Sequence, residues 1–356
     1  MIIGIDGSRA FIKNRTGIEE YSYRVIKNLR NNLSSEQIVL YVRKKQEIDF
    51  EIPKNWEIKI IKFPRFWTQV GLSLEMLLHP VDVLFVPAHT VPIIHPRNTI
   101  VTIHGLEYEF CPKAYSSWER FYMRLSIKAS CKWAKKIISV SQNTKFDLEK
   151  LYGVVGDKIE VIYEGYENQE PIINNQESKS GLKSFLFVGR IEERKNVANI
   201  VKAFEILKEK YQVAHKLLLA GRPGYGYEKI KLQIENSKYR EDIAELGYVS
   251  DEEKFGLMKN ADAFVFPTLY EGFGIPVLEA QSVGCPVIAG RNSSIPEVVG
   301  DSVVLVDVRD QEAIAKAMAL LISDRSLRSE YVQKGLENVK RFSWSKCAER
   351  IAEILG

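Results

Sequence analysis

Apolar residues fall in short runs of four to eight, each closed by glycine, proline or charge, with longer amphipathic stretches between them. Ile2–Asp6, Ile38–Val42, Trp56–Phe63, Val81–Val86, Thr99–Ile103, Ile137–Val140 and Glu160–Tyr163 read as strands of a first half. Ser184–Val188, Lys216–Ala220, Ile243–Val249, Ala263–Phe266, Pro286–Ala289 and Val303–Val306 read as strands of a second. Short apolar runs of this kind, alternating with helical stretches, read as the strands of an α/β pattern. Between them the helical spacing is clear after Thr16, where Thr16 and Glu19 form a capping-box pattern and Ile18, Tyr21, Val25 and Leu29 share a face. Residues 116–136, 141–152, 197–210 and 251–260 also read as helices, and 343–355 as an amphipathic helix N-capped by Ser343. The segment 167–183, polar and without periodicity, is the expected linker. The expectation is therefore an α/β chain with an N-terminal domain over 1–166, a C-terminal domain over 184–342, and a final helix over 343–356.

Composition changes this picture little. The chain has 356 residues, 45% hydrophobic and 27% charged, enough for two domains of ordinary size. No apolar run approaches the roughly 20 residues that cross a bilayer. The start, MIIGIDG, lacks the basic and small-residue flanks of a signal peptide, so a cytoplasmic location is expected. Cys111, Cys131, Cys285 and Cys347 are scattered, without metal-ligand spacing. A net charge of +4 does not point to nucleic acid, but it is uneven: residues 1–165 carry 24 Lys and Arg against 18 Asp and Glu, and the rest 26 against 28. Within the first part, Arg120, Arg124, Lys128, Lys132 and Lys136 recur every fourth residue over 116–136. That stripe is either a solvated helix face or a surface for anionic lipid headgroups.

Candidate chemistry gathers at predicted strand ends. Glu271 and Glu279 flank seven residues that include Gly272, Gly274 and Pro276, between the Ala263–Phe266 strand and a helix start. Free amides at that start, approachable because glycines flank them, suit an anion; the alternative is an ordinary crossover with solvated acids. Arg190 and Lys195 follow the Ser184–Val188 strand and can grip a diphosphate, or can be surface charge in a charge-rich segment. His104 ends the Thr99–Ile103 strand, where ligands bind in open α/β sheets. The first loop, GIDGSRAFIKNRTG, lacks the GxGxxG fingerprint, which argues against a nicotinamide dehydrogenase.

Taken in order, EGFGIPVLEA (Glu271 to Ala280), FVGRIEERKN (Phe187 to Asn196), TGIEEYSYRVIKNL, VTIHG and IISVSQNTKFDL resemble the family 4 glycosyltransferases over essentially the whole chain. The resemblance implies a GT-B fold, two Rossmann-like domains with mostly parallel sheets facing each other across a cleft. It implies a retaining, metal-independent hexosyltransferase that takes a sugar of mannose or glucose type from a UDP- or GDP-sugar to a glycan or lipid-linked acceptor. Arg190 and Lys195 then hold the donor diphosphate, Glu271 the sugar hydroxyls and Glu279 the ribose. The main chain of Gly272, Phe273, Gly274 and Ile275 lies near sugar and phosphate, Gly17 admits the phosphate, backbone at Val249 meets the base, and His104 reaches the sugar. Gly105 stands where many members have aspartate after that histidine, so contacts of that aspartate are not carried over. The competing readings are a nucleotide-sugar epimerase on the same scaffold and a non-catalytic nucleotide-sugar-binding partner.

Overall fold

The computed structural model describes residues 1–13, 15–44, 48–167 and 183–356, so all but the edges of the expected linker lie outside the described residues. The chain forms two compact units. The first comprises Met1–Leu106, Ser117–Glu167 and Phe342–Gly356; the second comprises Glu107–Ser116 and Asn168–Arg341.

The first unit runs β1 (Ile2–Asp6), α1 (Gly17–Leu29), β2 (Gln37–Val42), β3 (Trp56–Ile60), a π-helical turn at Trp67–Leu72 that continues into α2 (Ser73–Leu78), β4 (Val83–Val86) and β5 (Asn98–Ile103). The short α3 (Glu107–Phe110) belongs to the second unit, and the chain then returns to the first. There it adds α4 (Ser117–Trp133), β6 (Lys136–Ser139), α5 (Gln142–Tyr152) and β7 (Ile159–Val161). All seven strands are parallel, in the order β3-β2-β1-β4-β5-β6-β7. Ile3, Ile5, Leu84, Phe85, Val101 and Ile103 are fully buried, which explains why these strands read as unbroken apolar runs.

The second unit runs β8 (Ser184–Val188), α6 (Val197–Tyr211), β9 (Lys216–Ala220), α7 (Tyr227–Glu235), β10 (Ile243–Gly247), α8 (Asp251–Asn260) and β11 (Ala263–Phe266). It continues with α9 (Ile275–Ser282), β12 (Val287–Gly290), α10 (Ile295–Val299), β13 (Val304–Val306), α11 (Gln311–Ser323) and α12 (Arg325–Val339). Its six parallel strands are ordered β10-β9-β8-β11-β12-β13. The last helix, α13 (Trp344–Leu355), is N-capped by Ser343 and lies in the first unit, where the Trp344 ring meets Tyr21 of α1 at 5.9 Å.

Each sheet reverses direction once, between β1 and β4 and between β8 and β11. Crossovers leave such a point in opposite directions, so the carboxyl ends of the two strands there open a crevice, and that is where open α/β sheets bind ligands. In the second unit the layer beneath this crevice is tied backbone to backbone. Gly189 N–H donates to Ala220 O, Gly221 N–H to Gly247 O and Ile191 N–H to Arg222 O, at 2.7–3.0 Å.

Some expectations are shortened or corrected. Strands β3, β4 and β10 are shorter than read, and β10 stops at Gly247, which adopts φ 68°. Lys136 is not on the basic helix: α4 stops at Trp133, and Lys136 opens β6, paired with Ile100. The stripe therefore ends at Lys132. Helices α2, α3, α7, α11 and α12 were not read from the pattern.

Gly221 has φ 151°, and a Cβ there would sit 1.8 Å from Gly189 O. Gly221→Ala is expected to cost on the order of 3 kcal/mol or more, because backbone on both sides must shift. Urea unfolding followed by circular dichroism measures it; a loss below about 1 kcal/mol would contradict the close approach.

Candidate functional site

The second switch point assembles the site from three loops. The first follows β8. Gly189 and Arg190 leave the strand, a 3₁₀ turn spans Glu193–Lys195, and Asn196 in the left-handed conformation (φ 61°) caps α6. Asn196 Nδ2 donates to Pro267 O (2.9 Å) and Val308 O (2.7 Å), so the α6 start is bolted to the loop after β11. The second loop is that one, residues 267–274. The third follows β12 and holds the second: Asn292 donates to Thr268 O and Leu269 O, Ser293 accepts from Glu271 N–H at 3.1 Å, and Ser294 donates to Glu271 O and Phe273 O at 2.9 Å. Sequence reasoning missed Asn292, Ser293 and Ser294. Polar residues in a turn carry no signal of which carbonyls they will meet.

Within this frame Lys195 Nζ lies 2.6 Å from Glu271 Oε1, both side chains about nine-tenths buried. Burial pushes the Lys195 ammonium down from its usual range, and Glu271 works against that shift. Phe266, the last residue of β11, presents its ring 5.1 Å from Nζ. A second cation, Arg194, reaches the same oxygen at 3.6 Å and pairs with Glu192 at 2.9 Å. Arg190 is exposed, and its side chain makes no hydrogen bond or ion pair with the described residues.

The remaining expected residues flank this core. Gly274 caps α9 with φ 116°, beneath Ile295, and Pro276 lies in the first turn. Gly272 and Ile275 are half-buried and Phe273 is buried. Glu279, on α9, is paired at 2.7 Å with Lys254 of α8, which also meets Asp251 at 2.9 Å. Burial opposes the Lys254 charge, but Glu279 and Asp251 outweigh it and raise its pKa. Val249 is half-buried between the end of β10 and the Ser250 cap of α8. The short stretch 107–115 also packs here: Phe110 stacks on Tyr270 at 4.7 Å, and burial, helped by Glu107 and opposed by Arg194, lifts the Cys111 thiol to about 11.

His104 and Gly17 belong to the first unit. His104 is buried at the end of β5, with Nε2 2.9 Å from Pro87 O and Nδ1 3.3 Å from Glu164 Oε1. Its ring packs edge-on against Tyr21 and His89. Gly17 opens α1, and a Cβ there would meet nothing within 4 Å. His89 was not singled out from sequence. Its Nδ1 is shielded from solvent and has no partner among the described residues.

A buried lysine–carboxylate pair stands at the reversal of the second sheet, at the carboxyl ends of parallel strands. Two doubly wound parallel sheets of this kind are the scaffold of GT-B glycosyltransferases. The comparisons agree. The description "Glycosyltransferase Family 4" matches residues 15–170, and "Glycosyl transferases group 1" matches 168–338. O-antigen chain mannosyltransferase B of Escherichia coli is 30% identical over 259 residues, 70% of this chain and 68% of that protein. Sucrose-phosphate synthase from Thermosynechococcus elongatus has the same fold, with TM-score 0.77 and 17% identity over 99% of this chain and 97% of that one. HepE of Anabaena, solved with UDP-glucose, gives TM-score 0.74 and 16% identity over 99% and 98%. The chain belongs to the family 4 glycosyltransferases, and it is a hexosyltransferase that uses a nucleotide sugar. Among the described residues no helix is long and apolar enough to cross a membrane, and no cluster of three or more potential metal ligands occurs.

Burial, then the neighbouring His104 and Arg9, hold the His89 imidazole well below the usual histidine range. The unfolded chain, titrating near ~6.5, takes up a proton before the folded one does. Stability attached to His89 is therefore complete above about pH 6.5 and declines as pH falls below it. Unfolding midpoints measured from pH 7.5 to 5 should fall for the native sequence, and the fall should be shallower in His89→Gln; identical slopes would refute the assignment.

Proposed function

We propose that this enzyme transfers a hexose of mannose or glucose type, with retention and without a metal, from a GDP- or UDP-sugar to a hydroxyl of a glycan or lipid-linked acceptor. The observation that carries the reading is the Lys195–Glu271 pair at the reversal of the second sheet, with Arg190 unpaired beside it. The mannosyltransferase relative supports the hexose.

In this mechanism Arg190 and Lys195 bind the donor diphosphate, and amides of Phe273, Gly274 and Ile275 at the start of α9 add partial positive charge. Glu271 accepts hydrogen bonds from the sugar and Glu279 from the ribose. Main chain of Gly272 lines the sugar, and the backbone at Val249 meets the base. As the anomeric carbon–oxygen bond breaks, negative charge grows on the leaving diphosphate, where fixed cations stabilise the transition state more than the ground state. The acceptor hydroxyl attacks from the departing side and gives its proton to the leaving phosphate oxygen, so no side-chain nucleophile is needed.

The acceptor end belongs at an anionic membrane surface. In the first unit Ser73 of α2 accepts from Ile94 N–H at 3.2 Å, and Ser130 of α4 accepts from Val91 N–H at 2.9 Å, so α2, the 91–94 loop and α4 form one face. Leu77 (59%), Leu78 (69%) and Ile93 (60%) are exposed on α2 and the loop, and α4 exposes Trp118 (71%), Arg124, Lys128 and Lys132, with Lys128 turned to the Tyr152 ring of α5. Exposed apolar side chains rimmed by cations suit acidic lipid headgroups better than a neutral or acidic protein surface.

Two measurements test these readings. Lys195→Met should lower transfer by roughly 10²–10³-fold and weaken UDP or GDP binding in titration calorimetry, while EDTA leaves the native rate unchanged. Full transfer by Lys195→Met, or binding of neither nucleotide at millimolar concentration by the native chain, would overturn the donor assignment. Flotation with vesicles containing acidic lipid should be strong, weak with zwitterionic vesicles, and lost when Arg124, Lys128 and Lys132 are changed to Glu. Indifference to lipid charge removes the membrane reading.

A further inference from the structure

Two cations converge on one oxygen of Glu271, and they are held very differently. Lys195 Nζ sits 2.6 Å from Oε1, and its other neighbour is the ring face of Phe266 at 5.1 Å. Arg194 Nη1 sits 3.6 Å from the same Oε1, but it also donates to Tyr270 O at 3.3 Å, while Nη2 pairs with Glu192 at 2.9 Å. The Arg194 carbonyl in turn accepts from Leu269 N–H at 2.9 Å. Its guanidinium is thus fixed to the peptide that carries Glu271 as well as to the carboxylate. Burial opposes the Arg194 charge; Glu271, Glu192 and Glu107 outweigh it. Glu271 Oε2 has no partner among the described residues, which leaves it to a ligand.

A compact ammonium on a flexible stem can change partners, whereas a planar guanidinium clasped at three points cannot do so without breaking each contact. On the donor reading proposed above, the diphosphate draws Lys195 away from Glu271. With no second cation, that step would leave a buried carboxylate unpaired, and such a group takes up a proton or swings out to water. Either outcome removes the acceptor that the sugar hydroxyls need. We infer that Arg194 is the positioning residue that holds the Glu271 carboxylate in place once Lys195 has turned to the diphosphate. Lys195 is then the exchangeable cation and Arg194 the permanent one. Arg194 acts on the sugar only through Glu271.

This assignment separates nucleotide binding from turnover. In the full-length chain, Arg194→Met should leave the Kd for UDP or GDP within about 3-fold of native while kcat falls roughly 10–100-fold, whereas Lys195→Met loses both. In a Glu271→Gln background, adding Arg194→Met should cost less than about 3-fold more in kcat, because the residue through which it acts is already disabled. Arg194→Lys, which keeps the charge, serves if the methionine variant melts early, and should show a smaller kcat loss with unchanged nucleotide affinity. Parallel loss of nucleotide affinity in the Arg194 variants would make Arg194 a phosphate ligand and overturn the inference. So would multiplicative effects in the double variant. A native chain that binds neither nucleotide defeats the donor reading itself, a result distinct from either of these.

Discussion

The second unit depends on an ion pair that water scarcely reaches. Taking Lys195 and Glu271 out of solvent is costly for each alone, and their 2.6 Å contact offsets that cost only while both stay in place. Much of the surrounding structure serves that condition. Asn196 ties the lysine's turn to the carbonyls of the neighbouring loop, and Ser293 and Ser294 hold the Glu271 main chain from the other side. The glycines beneath allow the strand ends to close up until backbone touches backbone.

The two sheets reuse one arrangement for different ends. In each, the order reverses once beside the first strand, and polar residues collect at the carboxyl ends there. In the second unit these are Arg190, Arg194, Lys195 and Glu271. In the first they are Asp6, His89 and His104, of which His104 already has both ring nitrogens engaged. The same topology thus gathers a buried ion pair at the reversal of one sheet and a histidine cluster beside that of the other.

Much of this was legible in the chain. Strands buried on both faces have no choice but to be apolar throughout, so the inner strands stood out as runs, while the edge strands β3 and β10 are largely exposed and carry charge; Glu271, Lys195 and Arg190 stood out by position at strand ends. What stayed hidden has physical reasons. Arg194 reads as surface charge among Glu192, Glu193 and Lys195, because sequence does not say which of four neighbouring charges turns inward. The exposed apolar residues of α2 look like core in a one-dimensional pattern. Residues 107–116 sit between two segments of the first unit, and nothing in their composition says that they pack with the second.

The return of α13 to the first unit bears on how the gene can be cut. Together with the 107–116 excursion, it makes the backbone pass between the two units four times. Ending the polypeptide after residue 166 removes Trp344 and leaves Tyr21 and the wall beside Gly165 open to water. Beginning it at 184 strips away the stretch that carries Phe110, Cys111 and Tyr115. Neither half can be obtained by a single scission, so swapping the second unit between relatives requires two splice points flanking residues 107–116, one after Glu167 and one before Phe342.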